Sequence, residues 1–401
     1  MQSIVVIGAG QAGSSLVAKL RTLGFTGKVT LIGEEHVPPY QRPPLSKQYL
    51  LGEMALERLF LRPESFYAEN HIDLHLDETV TAVDRADKVV ITGGRQVPYD
   101  QLVFTTGSVP RRLPGAIGGE LDGVHVVREL KDVDTMAPEF EPGRHVLIVG
   151  GGYIGLEAAA VAAKKGLKVT IVEMADRILQ RVAASETADY FRKLHQRHGV
   201  EIREGVGLAR LDGEKRVQGA RLSDGSELDV DFVIVGIGIS PATSLAEAAG
   251  LEIENGIKVD RHGRTSDPDI WAAGDCASFP LGDARLRLES VPNAIDMAEG
   301  VAGNIMGAEK DYVPKPWFWS DQYDVKLQIA GLNTGYDRVV TRQGESGVSF
   351  WYFKGDTLLA VDAANDARAY MVGKRLIDSG KTADPAVVAD PDSDLKGLLK
   401  A

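Results

Sequence analysis

Two short glycine clusters carry the residue types that cradle a diphosphate. The first, Gly8-Ala9-Gly10-Gln11-Ala12-Gly13, follows a β-branched run at 3–7 and precedes a stretch with apolar residues at Leu16, Val17, Leu20 and Leu23. In such a turn Gly8 permits the sharp reversal, Gly10 lets the backbone approach a pyrophosphate, and Gly13 lets the next helix lie close to the strand. The helix start then offers unpaired N–H groups and a positive dipole end to the phosphates. Glu34 lies 21 residues past Gly13, at the end of the next apolar run, where a carboxylate accepts from ribose hydroxyls.

The second cluster is Gly150-Gly151-Gly152-Tyr153-Ile154-Gly155, with Glu173 eighteen residues past Gly155. A carboxylate at Glu173 binds a free 2′-hydroxyl and repels a 2′-phosphate, which favours NAD(H), although Arg177 and Arg181 follow close behind. Two dinucleotide sites on one chain imply two different nucleotides. FAD with NAD(H) is the economical pair, because a flavin takes a hydride and hands electrons on. The acceptor of those electrons stays open at this point.

The elements that must position these residues read as β-α-β, once over residues 3–32 and again over 146–173. The spacing of the two units, 142 residues from Gly8 to Gly150, predicts a duplicated nucleotide-binding architecture. After about residue 320 the texture changes to short strands at 325–331, 338–342, 347–353 and 357–362, followed by a helix over 366–380. The expected fold class is α/β, with two Rossmann-like nucleotide-binding domains and a C-terminal α+β domain. The expected domains are an FAD-binding domain from 1–110 and 243–320, an NAD-binding domain from 111–242, and a C-terminal domain from 321–401.

Composition narrows the function further. Glycine, 44 of 401 residues or about 11%, exceeds the usual level of roughly 7%, as phosphate-binding turns require. The net charge of −12 argues against a nucleic-acid or anionic-membrane binder. No basic leader opens the chain and no apolar run is long enough to span a bilayer, so a cytoplasmic protein is expected. The single cysteine, Cys276, excludes an internal disulfide, a redox-active pair and a cluster carried by this chain. Inert packing beside Asp275 is the expectation for it. The pairs His71/His75 and His195/His198 lack a third ligand cluster, so no metal site is expected.

Five further segments carry a resemblance: Tyr40-Gln-Arg42-Pro43-Pro44-Leu45-Ser46-Lys47, Thr105-Thr-Gly107, Gly274-Asp275-Cys276, Glu289-Ser-Val291-Pro-Asn293-Ala, and Pro316-Trp317-Phe318-Trp319-Ser-Asp321-Gln322. Together they resemble the putidaredoxin reductase and dioxygenase ferredoxin reductase family, whose fold is like that of glutathione reductase. Thr105 stands where the family has Ala. The resemblance implies an NADH:ferredoxin oxidoreductase that passes a hydride from NADH to FAD and then single electrons to a [2Fe–2S] ferredoxin. That carrier would supply a cytochrome P450 or a Rieske-type oxygenase.

Carried over residue by residue, the resemblance assigns Ala12, Glu34, Arg42, Lys47, Val80, Arg128, Gly274, Asp275 and Val291 to FAD, with Trp319 close to the flavin. It assigns Gly152, Tyr153, Ile154, Glu173, Arg181 and Gly238 to the nicotinamide nucleotide. It also makes Lys47 the lysine beside the flavin, paired with a glutamate matched by Glu157; a buried pair of this kind needs both partners. For Trp317, core packing and a functional place carry equal weight.

A monomer or weak homodimer is expected. Rival readings are a rubredoxin reductase, an NADH oxidase, or a non-enzymatic flavoprotein resembling apoptosis-inducing factor. An acidic ferredoxin would require a local basic patch on a chain of charge −12, with Arg62, Lys374 and Arg375 as the candidate contacts.

Overall fold

The computed structural model describes residues 2–345 and 347–400. The chain divides into two compact units, one of residues 1–41, 56–109 and 239–316, the other of 42–55, 110–238 and 317–401.

In the first unit a five-stranded parallel sheet runs in the order Ile270–Ala272, Gln101–Phe104, Ser3–Ile7, Lys28–Ile32, Ile72–His75. Ser3–Ile7 takes the centre because Ile4, Val5, Val6 and Ile7 are β-branched and buried, as a parallel strand covered on both faces requires. The helix Gln11–Thr22 connects it to Lys28–Ile32 and buries Leu16, Val17 and Leu20 at the helical period. The helix Val291–Ile305 packs beside that helix. An antiparallel meander of Val80–Asp84, Val89–Thr92 and Gln96–Pro98 lies in the same unit.

The second unit repeats this plan, with the order Glu201–Glu204, Lys168–Glu173, His145–Val149, Phe232–Val235, Val124–His125. In each sheet the strand that runs into the glycine cluster is central, the next two strands of the sheet in chain order lie to one side, and two further strands lie to the other. Strand order therefore reverses beside that central strand, which is where open α/β sheets bind ligands. Both glycine clusters follow such a strand directly.

The second unit also holds a five-stranded antiparallel sheet in the order Trp317–Gln322, Val325–Gly331, Thr357–Ala364, Val348–Lys354, Arg338–Gln343. The helix Ala367–Asp378 packs on it through Tyr370, Val372 and Leu376. The strand Trp317–Gln322 straddles the boundary expected at 321, pairing from Trp317↔Ala330 to Gln322↔Val325. Its run of three aromatics has no polar alternation to mark a strand start. The segment Arg42–Ala55, expected with the first domain, groups with the second unit. Lys164 to Glu53 at 2.8 Å and Tyr49 Oη to Asp134 at 2.8 Å tie it there.

Asp362, 1% exposed in this sheet, has hydroxyl partners and, among the described residues, no ion pair: Tyr352 donates to it, as does Thr187 at 2.8 Å. Burial pushes its carboxyl from 3.8 up to about 6. A carboxyl raised in the folded state binds a proton that the unfolded chain has released, so this site loses stability as pH rises from about 4 to about 6. Asp362→Asn is expected to resist urea better than the wild type at pH 8. The gain has a ceiling of about 3 kcal/mol, at about 1.4 kcal/mol per pH unit, and should vanish near pH 4. Urea titrations at the two pH values check it.

Candidate active site

At the first glycine loop Gly8 has φ +110°, and a Cβ there would meet the Thr105 carbonyl oxygen at 2.3 Å. A Cβ on Gly13 would meet the Gly8 carbonyl oxygen at 2.2 Å, so helix and strand approach as closely as backbone allows. Gly10 caps the helix with no side-chain acceptor, and nothing lies within 4 Å of its Cβ position. The 12-residue helix thus leaves its first N–H groups to an external acceptor across open space. Thr105, the departure from the family pattern, donates its hydroxyl to the Gly8 carbonyl at 2.8 Å and to that of Ile7 at 3.1 Å. The extra hydroxyl pins the loop rather than obstructing it.

Around this loop the same unit gathers other expected residues. Gly274 has φ +81° and lies against Ala12, whose methyl would be 3.1 Å from an added Cβ. Asp275 accepts from Ser108 Oγ at 2.8 Å, and Arg287 donates to the Asp275 carbonyl at 3.2 Å. Val291 opens the helix Val291–Ile305, whose N-cap Ser290 accepts from the Asn293 N–H. Glu34 is exposed two residues beyond the strand end, and Val80 begins the antiparallel meander. Cys276 is fully buried, its thiol directed at the carbonyls of Phe104 and Ala273, and burial pushes its pKa up.

The second loop has the same geometry. Gly150 has φ +107° with its Cβ position 2.4 Å from the Gly236 carbonyl oxygen, and Gly155 would meet the Gly150 carbonyl oxygen at 2.3 Å. Gly152 again caps a 12-residue helix with no side-chain acceptor and open space above it. Tyr153 begins that helix with its ring on Phe318, centroids 5.1 Å apart, and Ile154 is 44% exposed. Glu173 accepts from the Gly151 N–H at 2.7 Å and the Ala175 N–H at 2.8 Å, which fixes both oxygens while leaving lone pairs for ribose.

The two arginines near Glu173 have different occupations. Arg177 donates to the carbonyls of Ile178, Ala183 and Ala184, holding its own loop. Arg181 is exposed, with Nη2 3.5 Å from the Cβ position of Gly238 (φ +101°). One arginine of the two is therefore left to face a 2′-phosphate, against the fixed carboxylate. Glu173→Ser is expected to lower kcat/KM for NADH about tenfold, the worth of a hydrogen bond to a charged group. Its loss for NADPH should be smaller, so that the preference between the nucleotides narrows; steady-state kinetics with both check this.

A third cluster carries buried charge. Glu157, 3% exposed on the helix Tyr153–Lys164, accepts from Ser46 Oγ at 2.7 Å and Ser320 Oγ at 2.7 Å. Lys47 Nζ lies 3.1 Å from Glu157 Oε1 and 3.5 Å from Asp321 Oδ2. Burial pushes the Glu157 carboxyl up, while Lys47 and the two hydroxyls draw it back. Ser46, Ser320 and Asp321 were not among the residues singled out from sequence. All three lie within segments that carry the resemblance, Ser46 beside Lys47, and Ser320 and Asp321 directly after Trp319. Arg42 and Arg128 are brought together, Arg42 Nη1 donating to the Arg128 carbonyl at 2.8 Å. Trp319 stacks on Trp317 with centroids 5.5 Å apart, and Trp317 is partly buried against the C-terminal core.

Residues 2–298 match the pyridine nucleotide-disulphide oxidoreductase family model, and 317–399 match the reductase C-terminal model. A ferredoxin–NAD(P)+ reductase of a Sphingomonas species is 42% identical over 99% of this chain and 97% of that protein. The chain belongs to the ferredoxin reductases of this family. Putidaredoxin reductase of Pseudomonas putida is 38% identical over 100% of the reductase and 97% of its own length. The crystal structure of the covalent putidaredoxin reductase–putidaredoxin complex superposes with a TM-score of 0.95 at 37% identity, covering 100% of the reductase and 98% of that chain.

Family membership makes the reductase an oxidoreductase that uses FAD and NAD(P)H, and both loops fit such groups: each glycine cradle is one that a Cβ would fill. The disulphide chemistry of the family name has no counterpart here, since the chain has one cysteine and it is buried. Among the described residues no helix is long and apolar enough to cross a membrane, and no group of three His, Cys, Asp or Glu is placed to hold a metal ion.

Proposed function

We propose that the reductase takes electrons from NADH and delivers them singly to a [2Fe–2S] ferredoxin that serves a cytochrome P450 or Rieske-type oxygenase. The observation that carries this reading is the pair of open glycine cradles on a chain without a thiol relay. FAD, when bound, accepts a hydride and releases its electrons one at a time, the conversion that a one-electron carrier needs.

The chain's own residues do the rest. Gly8, Gly10, Ala12 and Gly13 admit the FAD diphosphate to the helix start, Glu34 accepts from its ribose, and Asp275 receives a ribityl hydroxyl. Arg42 and Arg128 offset phosphate charge. Gly150, Gly152 and Gly155 do the same for NADH, with Tyr153, Ile154, Arg181 and Gly238 lining the nucleotide and Glu173 selecting the free 2′-hydroxyl. Lys47, held by Glu157, supplies fixed positive charge at the redox site, and Trp319 borders the flavin. Orientation performs the hydride step, so no acid–base residue is required. The protein works as a monomer or weak homodimer in the cytoplasm.

Anaerobic stopped-flow reduction by NADH, followed by mixing with a [2Fe–2S] ferredoxin, tests the reading. Rapid reoxidation by that ferredoxin, with slow reoxidation by rubredoxin and by air, is the expected outcome; the reverse order defeats it. The candidate docking cations differ in how far they are already engaged. Lys374 is already paired with Asp378 at 2.5 Å, and Arg62 lies over the Phe66 ring, whereas Arg375 is exposed. Arg375→Glu is therefore expected to slow ferredoxin reduction at low salt more than Lys374→Glu, with NADH reduction of the protein unchanged.

A further inference from the structure

His195 is a fully buried histidine with no place in the scheme above. It sits in the last turn of the helix Ser185–Arg197 with 0% exposure. Its Nε2 is 2.8 Å from Gln322 Oε1; Gln322 Nε2 is 3.2 Å from Ser320 Oγ; Ser320 Oγ is 2.7 Å from Glu157 Oε1. At the other end Tyr323 Oη is 3.1 Å from His195 Nδ1, and the Tyr323 ring stacks on exposed His198 with centroids 3.7 Å apart. Gln322 and Ser320 are also 0% exposed, so water does not compete for these bonds.

Donor counting fixes the direction of this chain. The Glu157 carboxylate accepts only, so the Ser320 hydroxyl donates to it. Ser320 oxygen then accepts from the Gln322 amide N–H, which turns Gln322 Oε1 toward His195. Burial holds the His195 imidazole down at about 4, so it is neutral and carries one N–H. That N–H is on Nε2, and Nδ1 accepts from Tyr323. Every donor points toward Glu157. Without the His195 N–H the Gln322 amide is free to turn, presenting its oxygen to Ser320. The Ser320 hydroxyl then has an alternative acceptor to Glu157. The titratable or charged groups facing Glu157 are Lys47, with Asp321 beyond it; those facing His195 are His198 and Tyr323.

We propose that His195 is a positioning residue for the Lys47–Glu157 pair, acting through Gln322 and Ser320 to keep the Ser320 hydroxyl a donor to Glu157. The proposal rests on reading that pair as part of the redox site. His195 matters because burial already pushes the Glu157 carboxyl up, so the loss of one donor moves it toward protonation and removes the anion that holds Lys47.

The test uses the flavin-loaded protein and three variants. His195→Met fills the space without a donor, His195→Gln returns an N–H, and Ser320→Ala removes the last link. His195→Met is expected to slow reduction at saturating NADH about tenfold, with the apparent Kd for NADH unchanged, and His195→Gln to recover most of that rate. The double variant His195→Met/Ser320→Ala should be no slower than Ser320→Ala alone. Independently of turnover, the infrared C=O stretch of a protonated Glu157, assigned by its loss in Glu157→Gln, should be present at neutral pH in His195→Met and absent from the wild type and His195→Gln. Gln322→Met, which breaks the middle link, should reproduce the pattern if His195→Met does not fold. A wild-type rate and spectrum in His195→Met, a His195→Gln as slow as His195→Met, or additive losses in the double variant would each overturn the proposal. If Glu157→Gln itself reduces at the wild-type rate, the reading of the pair falls and takes the proposal with it. If Glu157→Gln is slow and His195→Met is not, the proposal alone is wrong.

Discussion

Gly8→Ala is expected to purify without flavin, whereas Gly150→Ala is expected to purify yellow and fail to take electrons from NADH. Both positions combine two obstacles. The backbone is at φ +110° and +107°, where an L side chain is strained by about 1–3 kcal/mol. The added methyl would also stand 2.3 Å from the Thr105 carbonyl oxygen or 2.4 Å from that of Gly236. These are backbone atoms in or beside the central strands of a sheet, so no rotamer change relieves the overlap and the loop itself must move. Displacing the loop moves the helix start away from the diphosphate, and the N–H groups lose their aim. A loss of about 3–5 kcal/mol of nucleotide affinity follows, a factor of at least a hundred in Kd. The two variants separate the cofactors because the loops sit in different units with their own sheets. Gly94→Ala, where nothing lies within 4 Å of the added methyl, is the control and should match the wild type. Flavin absorbance per protein after gel filtration, with circular dichroism to confirm folding, reads the first effect; anaerobic NADH titration reads the second. Full flavin occupancy in Gly8→Ala would break the argument.

Both cradles were legible because their signals are local. A β-branched run, a glycine cluster, a helical period and a distal acid fall within some 30 residues, and each is a short-range consequence of backbone sterics. The strands Val325–Gly331, Arg338–Gln343, Val348–Lys354 and Thr357–Ala364 came through for the same reason, being bounded by Gly, Asn and Asp turns. What composition and spacing could not supply was pairing at long range. Glu157 meets Ser46 and Ser320 across 111 and 163 residues, and no periodicity encodes that. The resemblance pointed to Lys47 and Glu157 but not to the hydroxyls that make the pair tolerable. Gln322 and His195 are 127 residues apart, and sequence spacing marks the histidine only as the partner of His198 in a pair that lacks a third ligand cluster. The strand Trp317–Gln322 was blurred for a different reason: its aromatic run carries no alternation, so the boundary fell inside it.

Lys47→Met is expected to destabilise the protein more than Glu157→Gln, although the two remove opposite ends of one ion pair. The asymmetry comes from what each change leaves behind. Glu157, 3% exposed, keeps two hydroxyl donors but loses its cation. A buried carboxylate so abandoned costs about 3–5 kcal/mol. Lys47 without Glu157 still has Asp321 at 3.5 Å and retains 14% side-chain exposure, so Glu157→Gln should cost about 1 kcal/mol. The pH dependence distinguishes the cases. In Lys47→Met the Glu157 carboxyl, already raised by burial, rises further above its unfolded value, so the folded state binds the extra proton. Stability relative to the wild type is then lost as pH rises through the folded pKa and recovered as pH falls toward 5. Urea midpoints of Lys47→Met should therefore approach those of the wild type in mild acid and diverge from them at pH 8. The double variant Lys47→Met/Glu157→Gln should be more stable at pH 8 than Lys47→Met alone, because it removes the orphaned charge. Both single variants are expected to slow reduction by NADH, and the double variant should regain stability without regaining rate. That dissociation would separate the charge proposed for the redox site from the pairing that makes its burial tolerable.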